Sequence, residues 1–233
     1  MKETNLEKIK EQAILFLYLE PVRDKKYGFI VHHPFFQYSA AYDEISQSMF
    51  DIFEDNEKYN NKVKKIKNKI LSVNSVEDIL LLMSKPYQLT FFKFINQYLS
   101  KDDFSKILIS IWIKIEMPQY DENVSLKKVI KWFKKADRET MMTERDIELF
   151  NNLPEKITIY RGVCNKKDKN GISWTTNKNV ATWFAKRFQK TPFIYETKIN
   201  KEDILAYTNS RNENEAIIDI FKLEKEKIKE IKL

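Results

Sequence analysis

Apolar residues in the first two thirds of the chain recur at intervals of three and four residues, which is the period of an amphipathic helix. The pattern runs through residues 6–17, 63–70 and 129–136. An exception is Tyr27–Val31, which has the composition of a short strand. Residues 1–150 are therefore predicted to form a mainly helical domain.

Two serines and two prolines indicate where the helices of this region begin or end. Ser75 and Ser100 directly precede apolar-periodic stretches, and serine is a favoured helix N-cap because its hydroxyl accepts a bond from a free backbone N–H. Pro86 and Pro118 are expected at element boundaries, because proline interrupts the hydrogen bonding of a helix interior.

The pattern changes after Pro154, where apolar residues begin to alternate with polar ones. A period of two is typical of a strand with one buried face. Two such runs are predicted as strands, at residues 156–163 and 193–199, with one helix at Val180–Phe188 between them. A third run, at residues 216–221, is apolar enough to be predicted as a central strand. Residues 155–233 are predicted to be a small β-rich domain, so the fold class is α+β.

Composition supports a folded chain of 233 residues with 42% hydrophobic residues. No apolar run reaches the roughly 18 to 20 residues of a membrane-spanning helix, and the N-terminus lacks the apolar core of a signal peptide. The single cysteine, Cys164, excludes an intrachain disulfide and cannot by itself form a zinc site. The expected location is the cytoplasm, or the cytoplasm of a host into which the protein is delivered.

The positive charge is concentrated near the C-terminus. Of a formal charge of +7, residues 155–233 carry +6, from 17 lysines and arginines against 11 aspartates and glutamates. This excess would attract an anionic ligand such as NAD, or a nucleic acid. A lysine-rich surface that follows from coding bias explains the charge more simply.

Four features of residues 155–233 point to chemistry. Arg161 shares a strand face with Ile157 and Ile159, and a cation on an apolar face needs a partner such as a phosphate or a carboxylate. Gly162 and Gly171 flank the next segment in a chain with only three glycines. The other two features are the hydroxyl residues of Ser173-Trp174-Thr175 and the carboxylate pair of Glu213-Asn214-Glu215. If extended, that pair would share a face, and like charges so placed raise the pKa of one carboxyl.

The order and spacing of these motifs resemble the R-S-E class of ADP-ribosyltransferases, which includes bacterial toxins and phage enzymes. Arg161 precedes Ser173 by 12 residues, and Ser173 precedes Glu215 by 42 residues. The class has a strand arginine, a Ser-x-Ser or Ser-x-Thr strand, and a Glu-x-Glu or Gln-x-Glu loop that enters a strand. The resemblance covers residues 155 to about 223, and the Ser-Trp-Thr sequence departs from the common Ser-Thr-Ser.

The resemblance implies a role for each motif residue, with NAD as the substrate and no metal. Glu215 would stabilise the cationic ribose of the transition state, and Ser173 would orient Glu215. Arg161 would hold the NAD pyrophosphate. The remaining contacts to NAD would come from the backbone of Gly162, from the Ser-x-Thr residue Thr175, and from an aromatic ring, namely Phe184, Trp183 or Trp174. Glu213 would position or deprotonate the acceptor.

Several alternatives stay open at this stage. The acceptor is a protein, with arginine favoured by Glu213, or a nucleic-acid base. A toxin or phage enzyme of this kind would have an antitoxin or inhibitor as a further partner. A second hypothesis is an NAD glycohydrolase, against which Glu213 argues. The third is a basic nucleic-acid-binding protein without catalysis, for which the lysines of residues 62–69 and 127–135 are the support.

Overall fold

The structure, a computed structural model, describes residues 3–116, 121–188 and 192–231, so Pro118 lies outside the described residues. The chain divides into two compact units, Met1–Val124 and Ser125–Leu233. The described helices include none that is long and apolar enough to cross a membrane. The architecture is mixed, with helices in both units and a six-stranded antiparallel sheet in the second, which confirms the α+β fold class.

The first unit is mainly helical. Its helices are α1 (Leu6–Leu17), α2 (Asn56–Ser72), α3 (Val76–Leu82), α4 (Lys85–Ile95) and α5 (Lys101–Lys114). Its strands form two short antiparallel pairs, β1 (Val22–Arg23) with β2 (Val31–His32) and β3 (Ala40–Asp43) with β4 (Ser48–Asp51). The strand predicted at Tyr27–Val31 therefore begins four residues later than expected.

The helix boundaries of the first unit follow from capping. Ser75 accepts a hydrogen bond from the backbone N–H of Asp78, and Ser100 accepts one from that of Asp103, so both predicted N-caps are confirmed. Pro86 lies in the first turn of α4, where a missing N–H costs no helical bond.

The second unit combines three helices with a sheet. The helices are α6 (Leu126–Lys135), α7 (Glu144–Asn151) and α8 (Lys178–Lys186). The strands are β5 (Lys156–Val163), β6 (Ser173–Thr175), β7 (Phe193–Asn200), β8 (Ile204–Thr208), β9 (Glu215–Ile218) and β10 (Lys229–Ile231). They lie in the order β10-β7-β5-β6-β9-β8, and each neighbouring pair is antiparallel.

Two of the predicted strands and the predicted helix match the structure closely, as β5, β7 and α8. The third predicted strand ends early. β9 stops at Ile218, and the carboxylate of Asp219 then accepts a hydrogen bond from the backbone N–H of Phe221 and caps a 3₁₀ turn. Phe221 is therefore not part of the strand.

The boundary between the compact units lies about thirty residues before the predicted one. Helices α6 and α7 pack against the edge strand β8 and so belong to the unit that holds the sheet. Arg138, between these helices, donates to the carbonyl of Ile204, and the rings of Phe150 and Tyr207 lie 6.3 Å apart.

Candidate active site

The three motif strands are consecutive neighbours in the sheet, as β5, β6 and β9. Tyr160 of β5 pairs with Thr175 of β6, and Thr175 pairs in turn with Glu215 of β9. Directly opposed residues of antiparallel strands project to the same face. The hydroxyl strand therefore lies between the strand of Arg161 and the strand of Glu215.

The register decides which hydroxyl faces Glu215. Thr175 is directly opposite Glu215, whereas Ser173 is opposite Ile217, one step along the same face. Thr175 is buried, and Ser173 is half-buried. Both hydroxyl residues thus share a face with the carboxylate, and Thr175 is the cross-strand neighbour.

Arg161 is held between the segments that precede and form β6. Its Nε donates to the carbonyl of Asp168 at 3.0 Å, and its Nη1 donates to the carbonyl of Ser173. These bonds supply the partners that a half-buried cation requires. A guanidinium has five N–H donors, so bonds to carbonyls are compatible with binding of an anion.

Gly171 is where the chain makes room for this guanidinium. A Cβ atom at Gly171 would lie 2.1 Å from Nη2 of Arg161, far inside van der Waals contact. The group that approaches this glycine closely is the Arg161 side chain. Gly171 therefore shapes the site through Arg161.

Gly162 is required by a different neighbour. A Cβ atom there would lie 1.7 Å from the backbone oxygen of Ala181 and 2.9 Å from the backbone nitrogen of Ala185. Helix α8 thus packs directly on the backbone of β5. The contact fixes the distance between the strand of Arg161 and the helix that carries Trp183 and Phe184.

The loop between β8 and β9 carries Glu213 and adopts an unusual backbone. Asn212 and Asn214 have φ values of 57° and 46°, in the left-handed region that asparagine tolerates better than most residues. Because Asn214 is left-handed, the segment from Glu213 to Glu215 is not extended. The condition under which the two glutamates would share a face, an extended segment, is therefore not met.

Hydrogen bonds fix this loop from two sides. The hydroxyl of Thr175 donates to the carbonyl of Glu213 at 2.6 Å, and the N–H of Thr176 donates to the carbonyl of Asn214 at 3.1 Å. Within the hairpin, the hydroxyl of Tyr207 donates to Oδ1 of Asn214 at 3.0 Å. The hydroxyl strand thus holds the backbone of the loop that carries Glu213.

Asp146 is a positioning residue that the sequence did not reveal. Its Oδ2 accepts from the N–H and the hydroxyl of Thr143 and completes the capping box of α7, while its Oδ1 accepts from the N–H of Asn209 at 2.7 Å. Asp146 is buried. The Thr143-x-x-Asp146 pattern signals a helix cap, but nothing local signals the bond to a loop 63 residues away.

The two glutamates have different environments. Glu215 is the first residue of β9 and is 7% exposed. The side chain of Glu213 is 21% exposed and forms an ion pair with Arg211, whose Nη2 lies 3.0 Å from Oε2. Burial raises the pKa of the Glu213 carboxyl above its usual range and Glu215 adds to the rise, whereas Arg211 and Arg187 oppose it. The pKa of one carboxyl of the pair is raised, as expected, but the largest cause is burial and the charge of the second glutamate is a smaller one.

The aromatic residues near the motif divide into core and surface. Trp174 is 2% exposed and its Nε1 donates to the carbonyl of Gly171, so this ring is part of the core. Phe184 is half-buried, and its ring contacts that of Trp183 edge-on at 5.0 Å between centroids. Trp183 itself is 57% exposed. The rings accessible to a ligand are therefore those of Trp183 and Phe184.

Within the described ranges, no group of three or more histidine, cysteine, aspartate or glutamate residues is placed to hold a metal ion. Comparison with known proteins gave no matching family model, no matching curated protein and no matching solved structure.

Proposed function

We propose that this protein is an NAD-dependent ADP-ribosyltransferase. The observation that carries the proposal is the register of β5, β6 and β9, in which Thr175 lies between Tyr160 and Glu215. It makes neighbours of the three strands whose motifs are 12 and 42 residues apart in sequence, while the alternation along β5 places the Arg161 side chain on the face opposite to that of Thr175 and Glu215. The fixed loop that carries Glu213 beside them supports the proposal further.

The reaction breaks the bond between C1′ of the ribose and the nicotinamide nitrogen. The bonding electron pair leaves with nicotinamide, and positive charge develops on the ribose, as in glycoside hydrolysis. A carboxylate fixed in a buried strand stabilises such charge without reorganising during the reaction. Glu215 supplies this carboxylate, and Ser173 on the same face would orient it, whereas the hydroxyl of Thr175 donates its proton to the carbonyl of Glu213.

Binding of the dinucleotide falls to Arg161 and the surrounding backbone. A guanidinium fixed by two carbonyls is already oriented before the pyrophosphate arrives, which lowers the entropic cost of binding. The backbone of Gly162 and the ring of Phe184 complete the proposed contacts to nicotinamide. The single cysteine is in keeping with a reducing compartment such as a cytoplasm.

Replacement of the strand carboxylate tests the proposal. Glu215→Gln keeps the size of the side chain and removes its charge, so nicotinamide release from NAD should fall by roughly 100-fold to 1000-fold, as for loss of one preorganised group. Glu202→Gln is the matched control, since Glu202 is an exposed glutamate of the same unit. Equal rates for the two variants, or no release by the wild-type protein, would contradict the assignment.

The second candidate, an NAD glycohydrolase, differs in the role of Glu213. A carboxylate with a raised pKa is a suitable base for removing a proton from an acceptor. For a transferase, Glu213→Gln should abolish transfer to an acceptor while NAD hydrolysis continues. The measurement is nicotinamide release together with transfer of label from NAD to macromolecules in a lysate. Nicotinamide release by the wild-type protein without transfer of label to any macromolecule would favour the glycohydrolase.

A further inference from the structure

Helix α6 carries a row of lysines on its exposed side. Half of its ten residues are lysines and none is acidic, and the lysines are Lys127, Lys128, Lys131, Lys134 and Lys135. All five are exposed, whereas four apolar residues on the other side of the helix are buried. Because residues three and four positions apart on a helix are neighbours, the lysines form one stripe, which we call the α6 ridge.

An aromatic ring lies beside the α6 ridge. Phe221 is 59% exposed, and Nζ of Lys127 lies 5.6 Å from the centre of its ring. The 3₁₀ turn that holds Phe221 is tied to α6, because the carboxylate of Asp219 accepts from the N–H of Phe221 and pairs with Lys134. Asp219 and Ile220 are buried and anchor this turn. The ring of Phe221 is therefore held at the ridge while it stays open to solvent.

The lysines of helix α2 have a different setting, in a unit where acidic residues balance the basic ones. Lys65, for example, pairs with Glu44. Residues 1–124 carry 17 lysines and arginines against 18 aspartates and glutamates. Residues 125–233 carry 24 against 16, a formal charge of +8. The unit that holds the α6 ridge therefore attracts a polyanion.

We propose that the α6 ridge and Phe221 bind a single-stranded nucleic acid. A stripe of lysines neutralises successive phosphates of the backbone, and the release of counterions from these phosphates favours binding. The ring of Phe221 stacks on an unpaired base, which a single strand exposes and a duplex does not. The lysines and the ring thus match the two repeating parts of such a strand, its phosphates and its bases.

The position of the apolar residues of α6 argues against a membrane as the partner. A helix that lies in a membrane interface inserts an apolar face between the lipids and keeps its lysines above that face. The apolar side chains of α6, Val129 and Phe133 among them, are instead buried within the protein. The ridge offers charge and one ring, which suits a strand that lies along the surface.

The ridge is separate from the proposed catalytic carboxylate. Glu215 is the first residue of β9, and Asp219 directly follows the last. With a rise of about 3.3 Å per residue, these two residues lie roughly 13 Å apart along the strand. Nucleic-acid binding at the ridge therefore goes beyond the transferase proposal and does not depend on it.

The salt dependence of binding tests the lysines of the ridge. The probes are fluorescent single strands of about 12 nucleotides, as DNA and as RNA, and the readout is anisotropy with the full chain and without NAD. The double variant Lys127→Gln, Lys131→Gln should lower the slope of log K against log salt by roughly 1.4, at about 0.7 per phosphate contact, and weaken binding roughly 25-fold at about 0.1 M salt. The matched control Lys64→Gln, Lys69→Gln replaces two exposed lysines of α2 and should change neither quantity.

Replacement of the ring tests the preference for unpaired bases. Phe221→Ala should weaken binding of single strands roughly tenfold, the cost of one lost stacked base. Binding of a DNA duplex of the same sequence should not change, because its bases are already stacked on one another. Phe188→Ala is the matched control, since Phe188 is 48% exposed in the same unit and has a guanidinium 5.1 Å from its ring centre.

The wild-type protein should bind single strands more tightly than the duplex, and the tighter of the DNA and RNA strands identifies the natural partner. Equal binding by the double variant of α6 and its α2 control would overturn the assignment of the surface. Equal affinity for single strand and duplex, with no loss in Phe221→Ala, would overturn the single-strand assignment. Tighter binding of phosphatidylserine vesicles or of polyglutamate than of any strand would overturn the choice of a nucleic acid as the partner.

Discussion

The packing of α8 on β5 makes Gly162→Ala the most informative single change in the second unit. The new Cβ atom would lie 1.7 Å from the carbonyl oxygen of Ala181. Ordinary contact needs roughly 3.5 Å, so the helix or the strand has to move by about 1.5 to 2 Å. All three nearest atoms belong to the helix backbone, so no side-chain rotation relieves the clash.

Adding a methyl group to a tightly packed contact typically lowers the free energy of unfolding by about 1–3 kcal/mol. For a unit of this size, each kcal/mol lowers the melting temperature by roughly 4–8 °C. We therefore expect Gly162→Ala to melt about 5 to 20 °C below the wild-type protein. Because the movement displaces the helix of Phe184 from the strand of Arg161, nicotinamide release should fall as well.

Gly28→Ala is the control for the effect of alanine on the unfolded chain. Nothing lies within 4 Å of a Cβ atom at Gly28, and neither glycine has a positive φ. Both variants restrict the unfolded chain alike, so their difference isolates the clash. Thermal unfolding by circular dichroism measures it. A difference of less than 2 °C between the two melting temperatures corresponds to less than about 0.5 kcal/mol in the free energy of unfolding. Such a result would contradict the close approach of α8 to β5.

Two further predictions concern buried polar groups. Asp146→Ala removes the partner of the N–H of Asn209 and half of the α7 capping box. It should lower the free energy of unfolding in urea by roughly 2–3 kcal/mol and slow nicotinamide release. The control Glu148→Ala, on the exposed side of α7, should change neither quantity. Burial lowers the pKa of His33 from 6.5 to about 4, so the unfolded chain binds the proton more tightly and stability falls as the pH drops through this window. Between pH 7 and 4.5 the free energy of unfolding should fall by about 2–3 kcal/mol because of His33. This loss of stability should vanish in His33→Gln and persist in His32→Gln, since His32 is exposed. The same loss in both variants would show that other groups cause the pH dependence.

The elements that the sequence predicted correctly are those whose pattern is local. The alternation in residues 156–163 and 193–199 reflects one buried face of β5 and of β7, and the serine caps act within one helical turn. β10 lies in a run of charged residues without such alternation. It forms because Lys229–Ile231 pair with Ile194–Glu196 of β7, and that interaction is distant in sequence.

The boundary between the two units also depends on contacts that a local sequence pattern does not reveal. Helix α6 has the helical period of α1 and α2, and a period does not reveal which surface the apolar stripe meets. Its buried residues, Val129 and Phe133 among them, belong to the unit of β8. The boundary is therefore a property of packing between elements, whereas the sequence pattern reports only the elements.

The difference between Glu213 and Glu215 arises from the residue between them. In an extended segment, two glutamates separated by one residue would share a face and an environment. The left-handed Asn214 instead turns the chain at the entry to β9, so that Glu215 is buried opposite Thr175 and Glu213 stays in the loop beside Arg211. The asparagines on both sides of Glu213 are the trace of this turn in the sequence, since asparagine tolerates a positive φ. Glu215, fixed in a strand, is suited to stabilise a cation, and Glu213, whose carboxyl pKa is raised, is suited to proton transfer. One turn of the backbone therefore separates the two roles that the proposed reaction requires.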